Sequence, residues 1–292
     1  IGQKMFDLID GSSNHWHNSF DYLPPAEYYD AHPEYYVTTG ILWNKTPVQL
    51  SYTANGDSEA FDEMTTICAN KIISSANNNP EMKAVTLTME DNTTWDSCDA
   101  ADALYSKYGT HSAEVIIFMN AVADKVKAGL GDRELDIYFF AYFNTYAAPV
   151  KEVDGKLVAI DSNVEMRDNV GVMYAPINGD YTADDFAATT MYEELSGWAA
   201  LTDNIATWTY QTNFDNYFNF YNSFNVMPSL YQALADFGAD YSHNQGQWNN
   251  ANSTGFSHLK AYLTGKLSWN ADADFETLLD NYFAARFGSA SG

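Results

Sequence analysis

The chain has 292 residues, of which 46% are hydrophobic and 15% aromatic, and its formal net charge is −25 from 14 Lys and Arg against 39 Asp and Glu. The hydrophobic fraction is sufficient for a packed core and excludes wholesale disorder, while the negative charge argues against binding to nucleic acids or anionic membrane surfaces. The longest apolar runs are far shorter than the roughly 20 residues that span a bilayer, so we expect no membrane insertion.

In chain order, apolar periodicity predicts regular elements after an irregular, aromatic-rich stretch of about 50 residues. They are a helix over Asp57–Ala76, a strand over Lys83–Glu90, a loop rich in Asp, Asn and Thr, a helix over Ser112–Leu130, a strand over Leu135–Tyr142, an inserted hairpin at about 150–160, a strand over Val170–Tyr174, a helix over Thr190–Leu201, a strand over Ile205–Tyr210, a helix over Ser229–Phe237, a strand over Ala239–Ser242, and helices over His258–Leu267 and Phe275–Phe287.

The length corresponds to about two domains at roughly 150 residues each, but barrels of roughly 200–250 residues commonly fold as one. We predict one domain over residues 1–292. Cys68 and Cys98 are too few for a disulfide framework, and an apolar stripe around Cys68 predicts a packed thiol, with a bridge between the two as the alternative. The polar, aromatic-rich composition favours an extracellular or cell-surface protein whose signal is not in this chain, which begins at Ile1.

Strands that alternate with helices predict right-handed crossovers and a parallel sheet. Five such units are more than half of an eightfold barrel, and the missing Gly-rich phosphate loop disfavours a dinucleotide-binding fold. We therefore predict the α/β class and a TIM-type (β/α) barrel, with an incomplete barrel or one without its first strands as the alternative.

In such a barrel the site lies at the carboxyl ends of the strands. Aromatic faces stack on sugar rings and amides bind hydroxyl groups, so the side chains found there predict a glycan ligand. The residues that we predict to bind substrate are His17, Tyr142, Asn144, Tyr174, Asn178, Trp208, Tyr210, His243 and Asn244.

Glu90 and Asp91 close the first predicted strand and are the candidate catalytic residues. Glycoside hydrolysis usually needs two carboxyl groups, although hydrolases of acetamido sugars can use the substrate's own N-acetyl group as nucleophile. One carboxyl group then donates a proton and the other orients the acetamide. Adjacent residues on a strand point to opposite sides, so only one faces a cavity unless the chain turns there. The alternative interpretation is a solvated loop start or a turn cap.

His15 and His17 lie on one face of an extended segment, as metal ligands can. No third ligand accompanies them, so substrate contact or packing is favoured, and we expect no metal and no other cofactor. The Asp-rich stretches at 96–102 and 180–185 are interpreted as solvated loops, because neither has the EF-hand pattern.

Several motifs along the chain form a distinctive set. The most specific are His32-Pro33-Glu34-Tyr35-Tyr36 and Leu267-Ser268-Trp269-Asn270. The other segments of the set are His17-Asn18-Ser19-Phe20, Leu23-Pro24-Pro25, the loop from Asp91 to Cys98, Ala141-Tyr142 with Pro149, Trp208 and Tyr210 with Thr212-Asn213-Phe214, Gly246, and Leu259-Lys260-Ala261-Tyr262-Leu263. In this order, and over nearly the whole chain, these motifs resemble those of glycoside hydrolase family 163, formerly a domain of unknown function in gut bacteria.

This resemblance implies a TIM-type barrel and endo-β-N-acetylglucosaminidase action on complex N-glycans, with retention of configuration through the substrate's acetamide. Asp91 matches an acidic position of the family at a strand end, and Glu90 precedes it. The family's early strands lie upstream of the first segment here, which implies a trimmed, incomplete or rearranged barrel.

Departures from the family pattern concern the later strand ends. Asn178, Thr209 and Asn244 stand where relatives tend to carry acids, and a cysteine cluster survives only as Cys98. Amides keep hydrogen bonding but cannot transfer protons.

The leading hypothesis is thus a secreted glycosidase that acts on glycans or glycoproteins containing N-acetylglucosamine. The alternative is a catalytically degenerate glycan-binding module of a larger surface protein. A glucuronidase-like hydrolase ranks lower, because no Lys or Arg lies at a predicted strand end to bind a uronate.

Overall fold

The structure is a computed structural model that describes residues 16–41, 44–216, 220–246 and 256–290. Its helices and strands, in chain order, are α1 (Ser19–Tyr22), α2 (Pro25–Tyr28), β1 (Tyr36–Thr39), β2 (Thr46–Leu50), α3 (Ser58–Asn78), β3 (Ala84–Thr86), α4 (Asp99–Tyr108), α5 (Ser112–Leu130), β4 (Asp136–Ala141), β5 (Val150–Val153), β6 (Lys156–Ala159), β7 (Val170–Tyr174), α6 (Thr190–Ala199), β8 (Ile205–Tyr210), α7 (Met227–Asp236), β9 (Ala239–Gln245), α8 (Ser257–Trp269) and α9 (Phe275–Phe287).

The principal sheet has five strands in the order β3-β4-β7-β8-β9. β3 pairs with β4 and β8 pairs with β9 in parallel, so the predicted α/β class with a parallel sheet is confirmed. The predicted hairpin is the antiparallel pair β5–β6, which turns at Asp154-Gly155 with both residues at positive φ. That combination is typical of a tight two-residue hairpin turn.

Chain contacts divide the protein into two compact units. The first consists of Ile1–Met173 and Gly197–Asn204, and the second of Tyr174–Ser196 and Ile205–Gly292. The single domain over residues 1–292 stays a prediction.

The first unit packs α3 and α5 together over a buried apolar stripe. The Asp57 carboxylate accepts hydrogen bonds from the backbone N–H groups of Glu59 and Ala60, so Asp57 is the N-cap of α3. α5 ends at Gly131, as predicted. Its stripe is buried and consists of Val115, Ile116, Met119, Val122 and Val126.

The outer edge of β3 is covered by the segment around Asn18. On one side of this strand, the Leu87 N–H donates to the Tyr138 carbonyl of β4. On the other side, the Asn18 amide pairs with the strand as a peptide group would: Nδ2 donates to the Thr86 carbonyl at 3.0 Å, and Oδ1 accepts from the Thr88 N–H at 2.9 Å. The backbone N–H groups of Asn18 and Ser19 donate to the Thr88 carbonyl.

The second unit packs α7 and α8 against β8 and β9. Its buried apolar side chains include Ile205, Leu230, Leu263 and Leu267. A polar contact connects these elements: Asn244 of β9 accepts hydrogen bonds from Thr209 of β8 and from Tyr231 of α7.

The structure differs from the sequence predictions mainly before β3, in the length of β3 and after Asp91. The strand predicted over Lys83–Glu90 is shorter, because β3 covers only Ala84–Thr86 and Glu90 and Asp91 lie beyond its end. The first 50 residues contain α1, α2 and the antiparallel pair β1–β2, all too short to show a period. The segment after Asp91 contains α4, where a loop was predicted. Its helix begins at the N-cap Cys98, has Asp99 and Asp102 in the first turn, and ends at Gly109 in the left-handed conformation.

The two cysteines are free thiols, so the alternative of a disulfide is wrong. Cys68 is buried, as the apolar stripe predicted, and burial raises its pKa well above the ordinary thiol range. In the described ranges, none of the helices combines the length and apolar character that crossing a membrane requires.

Candidate functional site

Asp91 presents its carboxylate five residues beyond the carboxyl end of β3, in the first unit. Its side chain is 64% exposed, and its Oδ1 accepts a hydrogen bond of 3.1 Å from the Tyr142 hydroxyl. Tyr142 directly follows β4, which is the parallel neighbour of β3. The structure therefore brings together two predicted site residues that are 51 positions apart in the chain.

Tyr142 holds this carboxylate with a hydroxyl that stays protonated. Only 6% of the residue is exposed. Burial raises the pKa of the Tyr142 hydroxyl far above its usual value, and the negative charge of Asp91 raises it further. Tyr142 is consequently the donor toward Asp91 Oδ1, which accepts.

His17 lies against the same pair of residues. Its ring centroid is 5.6 Å from that of Tyr142 and 5.1 Å from that of Phe140. Nδ1 is 2.7 Å from the Met89 carbonyl oxygen, and Nε2 is 3.9 Å from Asp91 Oδ1. Because a carbonyl can only accept, Nδ1 carries a hydrogen and Nε2 is the nitrogen on the Asp91 side.

Glu90 has different surroundings from its neighbour Asp91. Its Oε1 accepts hydrogen bonds from the Ser19 hydroxyl at 2.8 Å and from the Phe20 N–H at 3.0 Å. The Gln49 side chain pairs with both the N–H and the carbonyl of Glu90. Glu90 thus fastens the end of the β3 segment to residues 19–20, while Asp91 faces solvent.

Asn144 connects the loops that follow the two strands. Its amide Nδ2 donates to the Thr93 carbonyl at 3.0 Å, two residues after Asp91. The Asn144 side chain therefore fixes the loop that carries Asp91, in addition to its predicted role in substrate binding.

A buried carboxylate that sequence reasoning missed lies nearby in the first unit. Glu114 has no exposed side-chain surface, and it accepts from Trp95 Nε1 at 3.2 Å and lies 2.7 Å from His111 Nδ1. Burial raises the pKa of Glu114, and the interaction with His111 lowers it. The His-x-x-Glu spacing at the start of α5 is the one local signal that could have indicated this pair.

In the second unit, Trp208, Tyr210 and His243 lie on the face of their strands that points away from the helices. Thr209 and Asn244 contact α7, and adjacent strand residues point to opposite faces, which places Trp208 and His243 on the other side. The Trp208 and His243 rings are 4.2 Å apart. Burial lowers the pKa of His243.

Tyr174 and Asn244 use their polar atoms within the fold of the second unit. The Tyr174 residue is 2% exposed, and its hydroxyl donates to Glu194 of α6. Asn244 Oδ1 accepts from Thr209 at 2.8 Å, and its Nδ2 donates to Ser268 at 3.1 Å. These side chains hold helices against the sheet, whereas Asn178 is exposed in the loop after β7.

Lys260 is a second feature that the sequence did not reveal. The residue is 7% exposed, and its ammonium donates to the Gln211 and Tyr221 carbonyls at 2.9 and 2.6 Å. It also lies over the Tyr221 and Phe224 rings. Burial lowers the pKa of Lys260 to about 8. Lys260 therefore ties the segment after β8 to α8.

Within the part of the chain that the structure describes, no group of three or more His, Cys, Asp and Glu side chains is placed to hold a metal ion. His15 lies outside the described residues.

Comparisons with known proteins identify a family and distant structural likenesses. No curated protein matches the chain. A sugar phosphate isomerase/epimerase from Parabacteroides distasonis ATCC 8503 is a similar solved structure, with 10% identity and a TM-score of 0.37. The alignment covers 74% of this chain and 65% of that one. A family model matches residues 5–292, and the chain belongs to that family, the domain of unknown function DUF4838.

Proposed function

We propose that this protein is a secreted glycoside hydrolase that cleaves glycans containing N-acetylglucosamine. The proposal includes endo-β-N-acetylglucosaminidase specificity, a TIM-type barrel and a retaining, substrate-assisted mechanism. The observation that carries it is the Asp91 carboxylate, exposed in the loop that follows β3 and held by the Tyr142 hydroxyl. The resemblance of the motifs to glycoside hydrolase family 163 supports the substrate class.

Asp91 is proposed to act on the acetamide of the substrate. In a substrate-assisted reaction the acetamide oxygen attacks C1, and positive charge develops on the acetamide nitrogen as the ring forms. An ionised carboxylate accepts the acetamide N–H and stabilises that charge. Asp91 suits this role because Tyr142 donates to it and its side chain remains 64% exposed.

Glu90 is proposed to be a positioning residue. Two donors, the Ser19 hydroxyl and the Phe20 N–H, converge on its Oε1 and fix the position of the carboxyl group. Glu90 thereby keeps Asp91 and the His17 segment at a constant separation.

The test is incubation of the protein with complex and high-mannose N-glycoproteins, with mass spectrometry of the released glycans. We expect glycans that leave with one N-acetylglucosamine while the other stays on the protein. Asp91→Asn should lose at least about a hundredfold in rate, because an amide presents no charge to the developing cation. Asp30→Asn, an exposed carboxylate without such surroundings, is the matched control. Equal rates for D91N and wild type would refute the role of Asp91.

A glycan-binding module without turnover is the second candidate. It is favoured because the Glu90 carboxylate accepts hydrogen bonds from Ser19 and Phe20. Glu90 is therefore not presented to a substrate as a second catalytic carboxyl group beside Asp91. Micromolar binding on a glycan array, with no released product, would support it. Trp208, Tyr210 and His243 remain proposed carbohydrate contacts of the second unit.

A further inference from the structure

His17 has the surroundings of a group that transfers a proton at one defined nitrogen. The Met89 carbonyl accepts from Nδ1 at 2.7 Å, which fixes both the orientation of the ring and the position of one hydrogen. The second proton of an imidazolium can then reside only on Nε2.

Nε2 of His17 faces the Asp91 carboxylate but is not hydrogen-bonded to it. Asp91 Oδ1 is 3.9 Å away, which is beyond hydrogen-bond distance but close enough for an ion pair with the imidazolium. The side chain is 26% exposed, so a substrate oxygen can reach it. Phe140 and Tyr142 contact the ring and limit its rotation.

The carboxylates of the site are poorly suited to donate a proton. Ser19 and Phe20 donate to Glu90 Oε1 and Tyr142 donates to Asp91 Oδ1, so both carboxyl groups already serve as hydrogen-bond acceptors in the site. The glycosidic oxygen nevertheless needs a proton to leave as an alcohol.

We propose that His17, rather than Glu90 or Asp91, is the acid and base of the hydrolysis. This inference rests on the proposed function and deepens it. The Nε2–H proton passes to the glycosidic oxygen while the C1–O bond breaks and its electron pair stays on that oxygen. The acetamide oxygen supplies the pair that forms the new bond to C1.

The second half of the reaction restores the imidazolium. A water molecule gives its proton to the neutral Nε2 and adds to C1, and the bond between C1 and the acetamide oxygen breaks with its electron pair returning to the acetamide. Asp91 carries the compensating negative charge in both halves.

The experiment compares two leaving groups in His17 variants of the full chain. His17→Asn retains a donor near the position of Nδ1 for the Met89 carbonyl, and His17→Gln retains a hydrogen-bonding group near Nε2. One substrate is the N-glycoprotein, whose leaving sugar oxygen needs a proton. The other is the 2,4-dinitrophenyl β-glycoside of the released glycan, attached at its terminal N-acetylglucosamine, whose leaving group departs as an anion.

Both variants should lose about 10²–10⁴-fold on the glycoprotein and less than about tenfold on the dinitrophenyl substrate. Asp91→Asn should lose activity on both substrates. His32→Gln is the matched control, because His32 also lies beside a carboxylate, at 3.0 Å from Glu34. Its rates should equal those of wild type.

Two results would overturn the role of His17 while leaving the proposed function standing. Wild-type rates of the His17 variants on both substrates would remove His17 from catalysis, and equal losses on both would reduce it to binding or folding. Wild-type protein that cleaves neither substrate would instead refute the proposed function, and this inference with it.

Discussion

Replacement of Asn18 by Ala should destabilise the protein substantially, because one side chain satisfies four polar groups at the edge of β3. Nδ2 donates to the carbonyl and the hydroxyl of Thr86, both at 3.0 Å, and Oδ1 accepts from the N–H and the hydroxyl of Thr88, both at 2.9 Å. Asn18 is 1% exposed, so water does not take its place without rearrangement.

The expected loss follows from which groups keep a partner. The Thr86 carbonyl still accepts from the Tyr22 hydroxyl. The single hydrogen of the Thr88 hydroxyl lies within reach of both Asn18 Oδ1 and the Trp16 carbonyl, and in the variant it is donated to the Trp16 carbonyl. The Thr88 N–H loses its acceptor. With about 1 kcal/mol per lost hydrogen bond and about 1–3 kcal/mol for one buried orphan group, the free energy of unfolding should fall by about 3 kcal/mol.

Urea unfolding with linear extrapolation measures this change. Asn178→Ala, at an exposed loop position, is the control and should change the free energy by less than about 0.5 kcal/mol. Asn18→Asp should be more destabilising than Asn18→Ala at neutral pH, because a buried carboxylate then faces the Thr86 carbonyl. Burial raises the pKa of such a carboxyl in the folded state, so the deficit should grow as the pH rises above about 4, the ordinary pKa of Asp in an unfolded chain. A loss below about 1 kcal/mol for Asn18→Ala would refute the reasoning.

Two further predictions concern stability. Burial lowers the pKa of Lys260 from 10.5 to about 8, so the unfolded chain binds this proton more tightly than the folded protein does. The free energy of unfolding of wild type, relative to that of Lys260→Met, should therefore rise between pH 8 and 10.5. A difference that does not change with pH in urea unfolding would contradict this. Gly171→Ala should lower the free energy of unfolding by about 1–3 kcal/mol, because its Cβ would lie 2.4 Å from the Tyr138 ring. Gly265→Ala in α8, with open space around it, should raise the free energy of unfolding by about 0.5–1 kcal/mol. Equal unfolding midpoints for the two variants would argue against the crowding at Gly171.

Long or fully buried elements were predictable because their periodicity is strong. The strands over Val170–Tyr174 and Ile205–Tyr210 and the helices over Ser112–Leu130 and Phe275–Phe287 have the predicted bounds. α4 was not predicted, because its apolar positions are mostly alanines and only Ala101 and Tyr108 are buried.

The site was predictable where strand ends supply it. Asp91 and Tyr142 follow neighbouring parallel strands, and the rule that places sites at carboxyl ends brought them together. The partners of Glu90 were not predictable, because Ser19 and Phe20 lie about 70 positions earlier in an aperiodic segment. The orientation of Tyr174 and Asn244 toward the helices was not predictable either. The alternation of side chains along a strand shows that the strand has two faces, but it does not show which face the helices cover.

The Asn18 amide has a consequence for association between chains. A strand at the edge of a sheet exposes unpaired N–H and carbonyl groups, which invite a strand from another molecule and lead to aggregation. β3 is an edge strand of the five-stranded sheet, and its outward groups at Thr86 and Thr88 are already occupied by Asn18 and Ser19. A foreign strand would have to displace these partners before it could pair, so this side chain protects the protein against intermolecular sheet extension at that edge.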